Sequence, residues 1–159
     1  MSESLPPVSR ALTELGIPHR VFRHAGPVHT IEQAAGERGQ QPSQVIRSIV
    51  FRLGAASYAM VLVAGRGQVA WPALRAFLGQ SRLTTATEEE LLAVTGYERG
   101  AVAPFGLPAP MRVLLDRSVL SHEEISMGSG VRGTAVILRT ADLLAALGDV
   151  AIGDFAKPA

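Results

Sequence analysis

The sequence predicts a mixed α/β domain of the α+β type, with about seven strands and five helices. Three observations predict it. The chain has 159 residues, the size of one ordinary domain, so we expect a single domain over residues 1–159. Hydrophobic residues make up 47% and charged residues 18%, which is enough apolar surface for a real core. Apolar β-branched runs and capped helical segments follow one another without regular βαβ alternation.

Five segments carry helix signals. Thr30 with Gln33, and Thr87 with Glu90, match the capping-box pattern in which a side chain at each end of the first turn bonds a free backbone N–H. Pro72 suits the first turn of a helix. Glycines end most of these segments. The predicted helices cover residues 8–15, 30–38, 72–78, 88–95 and 140–148.

The strand signals are apolar, β-branched runs between turn residues. Residues 45–53 and 58–63 are separated by a short turn and predict a central hairpin. Residues 96–110 are rich in glycine and proline, which predicts a shaped loop. The predicted strands cover residues 19–23, 45–53, 58–63, 82–84, 112–115, 124–127 and 134–139.

Charge and cysteine content exclude several classes of protein. The absence of cysteine rules out disulfides, a thiolate nucleophile and Cys-bound metals. Residues 1–86 carry a net charge of +5 and residues 87–159 a net charge of −4, which suits a positive face for a polyanion, although exposed arginine also serves solubility. Residues 1–7 lack the features of a signal peptide, so we expect a soluble, cytoplasmic protein without a membrane partner.

Several familiar sites are disfavoured by spacing. His19, His24 and His29 recur every five residues, a step that keeps side chains on one face of neither a helix nor a strand, so we expect no metal. The glycine-rich segments do not match a nucleotide-binding fingerprint, and we expect no cofactor. A triad built from Ser48 or Ser129, any of the histidines and Asp116 lacks the nucleophile-elbow sequence.

Arg47 is the most informative single residue. It lies inside an apolar strand, and a two-residue period places Val45, Arg47, Ile49 and Phe51 on one face. A cation in an apolar row is costly unless it meets an anion, so we predict that Arg47 stands at the wall of a cleft. The alternative is an alternating strand with Arg47 in solvent.

The segment from Thr95 to Gly106 is the second candidate site. Gly96, Gly100 and Gly106 permit unusual backbone conformations, and Pro104 fixes one turn. Such a loop can aim backbone N–H groups at a ligand oxygen, as an oxyanion hole requires. A plain surface turn is the alternative.

Together these segments resemble the YbaK/EbsC family, whose fold is shared with the editing domain of bacterial prolyl-tRNA synthetase. The resemblance covers residues 19–147 and rests on residues 43–51, 95–107, 114–116 and 128–133 in that order. It implies a mixed sheet that curls into a partly open barrel with surrounding helices. It also implies an aminoacyl-tRNA deacylase that acts in trans, hydrolysing the ester of mischarged tRNA of the Cys-tRNA(Pro) or Ala-tRNA(Pro) type.

The resemblance also implies roles for individual residues. The partner is the tRNA acceptor end, with an aminoacyl-tRNA synthetase as a further candidate and DNA not expected. The implied catalytic group is Arg47, Gly100, Ala101, Val102, Ala103 and Pro104. The implied substrate-binding residues are His24, Thr30, Val45, Ser48, Ile49, Phe105, Gly128, Ser129, Gly130 and Arg132. The implied contacts to the tRNA backbone are Arg20, Arg23, Arg38 and Arg52.

Arg47 departs from the family pattern, which usually has a lysine important for deacylation at this position. Lys157 is the only lysine in the chain and lies near its end. An arginine keeps the positive charge but is bulkier and does not act as a general base. A non-catalytic module that binds a tRNA end or a small ligand therefore stays open as an alternative.

Overall fold

Ten strands and five α-helices form the part of the chain described by the structure, a computed structural model that covers residues 5–157. The helices are α1 (Pro7–Glu14), α2 (Ile31–Glu37), α3 (Trp71–Leu78), α4 (Glu88–Thr95) and α5 (Thr140–Leu147). The strands are β1 (Arg20–Arg23), β2 (Ile46–Leu53), β3 (Ser57–Ala64), β4 (Gln68–Val69), β5 (Thr84–Thr85), β6 (Arg112–Asp116), β7 (Glu124–Gly128), β8 (Thr134–Arg139), β9 (Ala151–Gly153) and β10 (Ala156–Lys157). None of the helices within these residues is long and apolar enough to cross a bilayer.

The strands form three sheets. The largest has the order β5-β2-β3-β6-β9, in which β2 and β3 are antiparallel while β6 runs parallel to both β3 and β9. A second sheet has the order β1-β8-β7, and β4 pairs with β10. A single bridge between Val45 and Ser126 joins the start of β2 to β7. The edge strands β5 and β9 do not pair, so the large sheet is not closed into a barrel.

This architecture confirms the predicted fold class. All five predicted helices and all seven predicted strands are present, and the central hairpin is β2 and β3. The strand predicted at 82–84 lies at Thr84–Thr85. Strands β4, β9 and β10 were not predicted, because two or three residues are too few to show an alternating pattern.

The central sheet has an apolar core on each side. On one side, Ile46 and Val50 of β2 pack with Leu62 and Met127. On the other side, Phe51 packs with residues of α3. Successive side chains of β2 therefore point alternately into the two cores. The prediction that Arg47, Ile49 and Phe51 share a face is confirmed, while Val45 lies just before the strand.

The two predicted capping boxes differ in completeness. Thr87 Oγ1 accepts from the N–H of Glu90, and the Glu90 carboxylate accepts from the N–H of Thr87. Thr30 Oγ1 accepts from the N–H of Gln33 at 3.0 Å, but the Gln33 side chain accepts from His29 instead of Thr30. The start of α2 is therefore capped together with the loop before it.

A buried tyrosine holds the shaped loop against its neighbours. Tyr97 donates its hydroxyl hydrogen to the carbonyl of Phe105 at 2.7 Å, and burial raises the pKa of its phenol. The N–H of Gly130 donates to the Ala101 carbonyl at 2.8 Å. The N–H of Val8 in α1 donates to the Ser129 carbonyl at 3.0 Å. Loops 96–106 and 128–133 therefore lie side by side under α1.

Asp116 ties the end of β6 to the C-terminal segment, and its removal should destabilise the fold. Asp116 is only 4% exposed. Its carboxylate accepts hydrogen bonds from the N–H groups of Ser118, Phe155 and Ala156 at 3.0, 2.8 and 2.9 Å. Asp116→Ala leaves these donors without an acceptor, and we expect urea denaturation to show a loss of about 3 kcal/mol in the free energy of unfolding.

Asp154→Ala provides the matched control for this prediction. Asp154 pairs with Arg117 on the surface, where its side chain is 80% exposed, so its removal should leave the urea midpoint almost unchanged. Equal losses from the two variants would contradict the structural role of Asp116.

Candidate active site

A cavity of about 990 Å³ opens beside the central sheet. Its walls come from the edge of β2, the end of β5, the start of α4, the loop at residues 99–102, the end of β7 and the segment from 24 to 38. The cavity is partly open to solvent and has both apolar and charged walls. Its size suits a small molecule or the end of a larger one.

The floor of the cavity is an uncovered stretch of the β2 edge. Strand β3 pairs with β2 along its whole length. On the opposite edge, β5 pairs only with Phe51 and Arg52, and β7 reaches β2 only at Val45. The backbone between these two strands has no partner strand among residues 5–157. The cavity therefore occupies the place of a missing neighbour.

The hydrogen-bond pattern shows which backbone groups face this opening. The N–H of Gly65 donates to the Val45 carbonyl, and the N–H of Ala86 donates to the Val50 carbonyl. In an antiparallel pair, alternate residues bond to opposite neighbours. Odd-numbered residues of β2 therefore bond to β3, while even-numbered residues direct their N–H and C=O groups to the open edge. Ser48 lies in the middle of the uncovered stretch.

The side chain of Ser48 adds a third unpaired polar group. Its Oγ is buried and, among the described residues, is the one buried side-chain oxygen or nitrogen without a hydrogen-bond partner. A buried polar atom without a partner lowers stability and calls for an explanation. Ser48 also lines the cavity. Its unpaired oxygen is explained if a ligand supplies the missing partner.

Arg47 lines the cavity, but most of its guanidinium is bonded to the protein. Nε donates to the Gly65 carbonyl at 2.7 Å, and Nη2 donates to the Gly67 carbonyl. Burial lowers the pKa of Arg47, although an arginine remains charged. Arg47 therefore fastens the turn between β3 and β4 and leaves Nη1 for a ligand. The glycines of this turn are visible in the sequence, but no sequence pattern predicts that their carbonyl groups bind Arg47.

Arg38 and His24 form a polar wall of the cavity. Arg38 donates from Nε to His24 Nε2 at 3.1 Å and from Nη1 to Ser126 Oγ at 2.9 Å. Because Nε2 accepts, Nδ1 of His24 carries the hydrogen and donates to Glu37 at 2.7 Å. This bond lowers the pKa of Glu37, and burial lowers that of Arg38. The sequence analysis predicted that Arg38 contacts the tRNA backbone. In the structure its guanidinium is bonded to His24 and Ser126 instead.

The loop at residues 100–103 contributes free backbone donors. Gly100 and Val102 line the cavity. The N–H of Ala101 donates to the Glu98 carbonyl at 3.0 Å. Within the described part of the chain, the N–H groups of Gly100 and Val102 have no acceptor. Two donors are therefore available next to the cavity.

Gly128 allows this loop to lie where it does. A Cβ atom at Gly128 would fall 2.5 Å from the carbonyl carbon of Ala101 and 2.6 Å from the carbonyl oxygen of Val102. Both are backbone atoms, which cannot move aside as a side chain can. The close approach of β7 to the loop therefore requires glycine at this position.

The structure brings together most, but not all, of the predicted site residues. Those that line the cavity are His24, Thr30, Arg38, Val45, Arg47, Ser48, Ile49, Gly100, Val102, Gly128 and Arg132. Those outside its lining are Arg20, Arg23, Arg52, Ala101, Ala103, Pro104, Phe105, Ser129 and Gly130. Sequence reasoning missed Thr85, Ala86, Leu91 and Met127, which line the cavity without belonging to any recognisable motif.

The serine and histidine side chains do not form a catalytic triad at the cavity. Ser129 bonds to Thr134 and the Val131 carbonyl, and Asp116 bonds to backbone N–H groups. Two Ser–His pairs occur, Ser9 with His19 and Ser43 with His122, both at 2.7 Å, and neither lines the cavity. Among residues 5–157, no three His, Asp or Glu side chains gather as a metal site.

Several proteins with similar sequences are proline–tRNA ligases, which are enzymes of translation. The chain is 29% identical over 109 residues to a proline–tRNA ligase of Thermosipho melanesiensis, covering 69% of this chain and 19% of that protein. It therefore spans about a fifth of the length of the ligases that it matches. It is also 30% identical over 114 residues to the uncharacterized protein YwhH of Bacillus subtilis, covering 72% of each.

Solved structures show the same fold. A proposed trans-editing enzyme for prolyl tRNA synthetase superposes with a TM-score of 0.86 at 27% identity, covering 99% of this chain and 100% of that one. The hypothetical protein APE2540 superposes with a TM-score of 0.86 at 22% identity over 95% of this chain and 99% of that one, a likeness of fold.

A family model extends the same similarity to the cavity itself. The model of the aminoacyl-tRNA editing domain matches residues 25–146. This range holds β2, the loop at 96–106 and β7, which supply most of the cavity walls. The chain therefore belongs to the aminoacyl-tRNA editing domain family.

Proposed function

We propose that the protein is an aminoacyl-tRNA deacylase that acts in trans. It hydrolyses the ester that joins a wrongly attached amino acid to the 3′-terminal ribose of a tRNA. The family assignment and the full-length likeness to a proposed trans-editing enzyme support this reaction. The observation that carries it is a single cavity whose walls contain both free backbone donors and a half-buried cation.

The free N–H groups of Gly100 and Val102 supply the chemistry in this proposal. Hydrolysis of an ester places negative charge on its carbonyl oxygen, and fixed backbone donors stabilise that charge. One such donor contributes about 3 kcal/mol to lowering the barrier. Holding a water molecule near the ester carbon contributes more. The reaction then proceeds without a covalent intermediate on the enzyme.

Arg47 acts electrostatically in this account. Its charge at the cavity wall favours the developing oxyanion, and Nη1 remains free to orient the substrate. It does not remove a proton, because its guanidinium stays protonated. Arg47 therefore keeps the charge of the family's usual lysine while two of its nitrogens stabilise the turn beside the cavity.

The proposed substrates are tRNA(Pro) molecules that carry cysteine or alanine. The relatedness to proline–tRNA ligases supports this tRNA, and the apolar side chains of Val45, Ile49 and Val102 suit a small amino acid. An aminoacyl-tRNA synthetase is a further partner in this proposal, as the likeness to a proposed trans-editing enzyme for prolyl tRNA synthetase suggests.

The phosphates of the acceptor end have a proposed path beside the cavity. Arg23 and Arg132 line a second, shallow cavity of about 550 Å³, which shares His24, Pro27 and residues 132–134 with the first. Arg38 and Arg52 have internal partners. Arg20 pairs with Glu124 and Arg132 pairs with Glu98, but both are exposed surface pairs of the kind that contribute little to stability and can exchange for phosphate. Because they line this second cavity, Arg23 and Arg132 are the residues to which phosphate binding is chiefly assigned.

The alternative is a non-catalytic module that binds a tRNA end or a small ligand. The bonds of Arg47 to Gly65 and Gly67 favour it, because they hold most of the guanidinium away from a substrate. In that case the cavity binds the aminoacyl end but does not accelerate hydrolysis.

A panel of mischarged tRNAs separates the two functions. We expect the wild-type protein to hydrolyse Cys-tRNA(Pro) or Ala-tRNA(Pro) above the buffer rate. Arg47→Ala should lower the rate about tenfold or more while circular dichroism shows an intact fold. A wild-type protein that hydrolyses no ester in the panel would refute the deacylase. If that protein still binds tRNA and Arg47→Lys gains hydrolysis, the binding module is the correct account.

Gly128→Ala should abolish most of the activity by displacing the loop at residues 100–102. We expect a decrease of about 100-fold in kcat/KM, the size of effect caused by loss of an oxyanion donor. Gly36→Ala is the matched control, because a Cβ there meets nothing within 4 Å. That variant should keep full activity. Full activity in Gly128→Ala would show that the position of the loop is not needed.

Salt titration tests the proposed path of the phosphates. We expect tRNA affinity to fall as salt rises, because binding of phosphates releases counterions. Arg23→Gln and Arg132→Gln should each weaken binding and reduce the slope of log affinity against log salt by about one. Arg117→Gln, at a surface ion pair with Asp154, is the control that should leave the slope unchanged. An unchanged slope in all three variants would contradict this path.

A further inference from the structure

The uncovered edge of β2 lacks one rung of hydrogen bonds. On one side of the gap, the N–H of Ala86 bonds to the Val50 carbonyl. On the other side, the bridge from Val45 to Ser126 joins β2 to β7. Between them the N–H and C=O of Ser48 point to the open edge, where no described residue pairs with them. The flanking strands therefore leave room for one extended residue.

Three polar groups of one residue meet in this gap. Ser48 presents a backbone donor, a backbone acceptor and the buried, unpartnered Oγ. The Oγ is shielded from water and the two backbone groups lack a partner strand, so none of the three gains a partner from the described residues. A ligand that bonds all three recovers that loss, as an added strand does at a sheet edge.

An aminoacyl ester carries the complementary groups. Its α-ammonium is a donor and its ester carbonyl is an acceptor, separated by one Cα atom as in a residue of a β-strand. An ammonium bonds strongly to neutral oxygens that are shielded from water. Ser48 supplies two oxygens without a partner among the described residues, the backbone carbonyl at this edge and the buried Oγ.

We propose that Ser48 binds the free α-ammonium group of the aminoacyl moiety through its carbonyl oxygen and its Oγ. This inference rests on the proposed function and defines its substrate class as esters of amino acids with a free amine. The aminoacyl group then occupies the missing rung between β5 and β7. Its ester carbonyl then accepts from the Ser48 N–H and also faces the loop that carries Gly100 and Val102. Esters whose amine is acylated, such as peptidyl-tRNA, lose this binding and are excluded.

Ser48 has no role as a nucleophile in this account. A serine hydroxyl needs an adjacent base to attack an ester. The described residues place no base within hydrogen-bond distance of Ser48 Oγ. The residue therefore selects and positions the substrate.

The first test compares an aminoacyl-tRNA with its N-acetylated form in hydrolysis by the wild-type protein and by Ser48→Ala. We expect the wild-type protein to prefer the free amine by about 100-fold in kcat/KM. Ser48→Ala should reduce this preference to about tenfold, because the backbone carbonyl still binds the ammonium. Hydrolysis of both esters at equal rates, or an unchanged preference in Ser48→Ala, would overturn the proposal.

Thermal stability distinguishes a substrate-binding serine from a structural one. Removing the hydroxyl of a structural serine lowers Tm, whereas removing an unpaired hydroxyl does not. Ser48→Ala removes an unpaired buried oxygen, so its Tm should equal or exceed that of the wild type. Ser126→Ala is the matched control, because Ser126 Oγ accepts from Arg38 and donates to Gln40. Its Tm should fall. A clear fall in the Tm of Ser48→Ala would contradict an unpaired hydroxyl.

A binding experiment keeps this inference separate from the proposed function. The probes are two amides in which alanine, with a free or an acetylated amine, is attached to 3′-amino-3′-deoxyadenosine, so neither can be hydrolysed as an ester. Calorimetry with the wild-type protein should detect binding of the free amine and at least about tenfold weaker binding of the acetylated form. Equal binding would refute the role of Ser48 even if esters are hydrolysed. Absence of ester hydrolysis with preferential binding of the free amine would refute only the deacylase.

Discussion

The site depends on a sheet edge that the protein leaves unpaired. A strand edge in the middle of a sheet is normally covered, because unpaired N–H and C=O groups are costly when water is excluded. Here β5 is only two residues long and β7 reaches β2 at a single bridge. The cavity fills the space between them. If β5 or β7 were a few residues longer, the edge of β2 would be fully paired and the cavity would be closed.

The opposite wall depends on close contact between backbones. Gly128 lies against the carbonyl groups of residues 101 and 102, and Tyr97 closes the loop from within. Because both restraints act on the backbone, the donors at Gly100 and Val102 are positioned before a ligand arrives. Such preorganisation is the usual source of stabilisation of charge in an active site.

The sequence predicted the fold better than the site, for a physical reason. Capping patterns such as Thr87 with Glu90, and the run of apolar residues in β2, are local signals that need no tertiary information. The prediction of function rested mainly on the resemblance of several ordered motifs to a known family. The partners of Arg47 and Arg38 are 14 to 88 residues away in the sequence, so no local pattern shows that their donors are occupied. The gap at Ser48 likewise exists only because two separate strands stop short of it.

The central claim is that one ligand contacts the edge of β2 and the loop at residues 100–102 at the same time. Amide NMR spectra of the protein, recorded as the alanyl amide of 3′-amino-3′-deoxyadenosine is added, test this most directly. The account predicts that the amide signals of Ser48, Gly100 and Val102 shift together with the same apparent affinity, while that of Gly36 on α2 stays in place. Shifts confined to other parts of the protein, with these three signals unmoved at saturation, would contradict it.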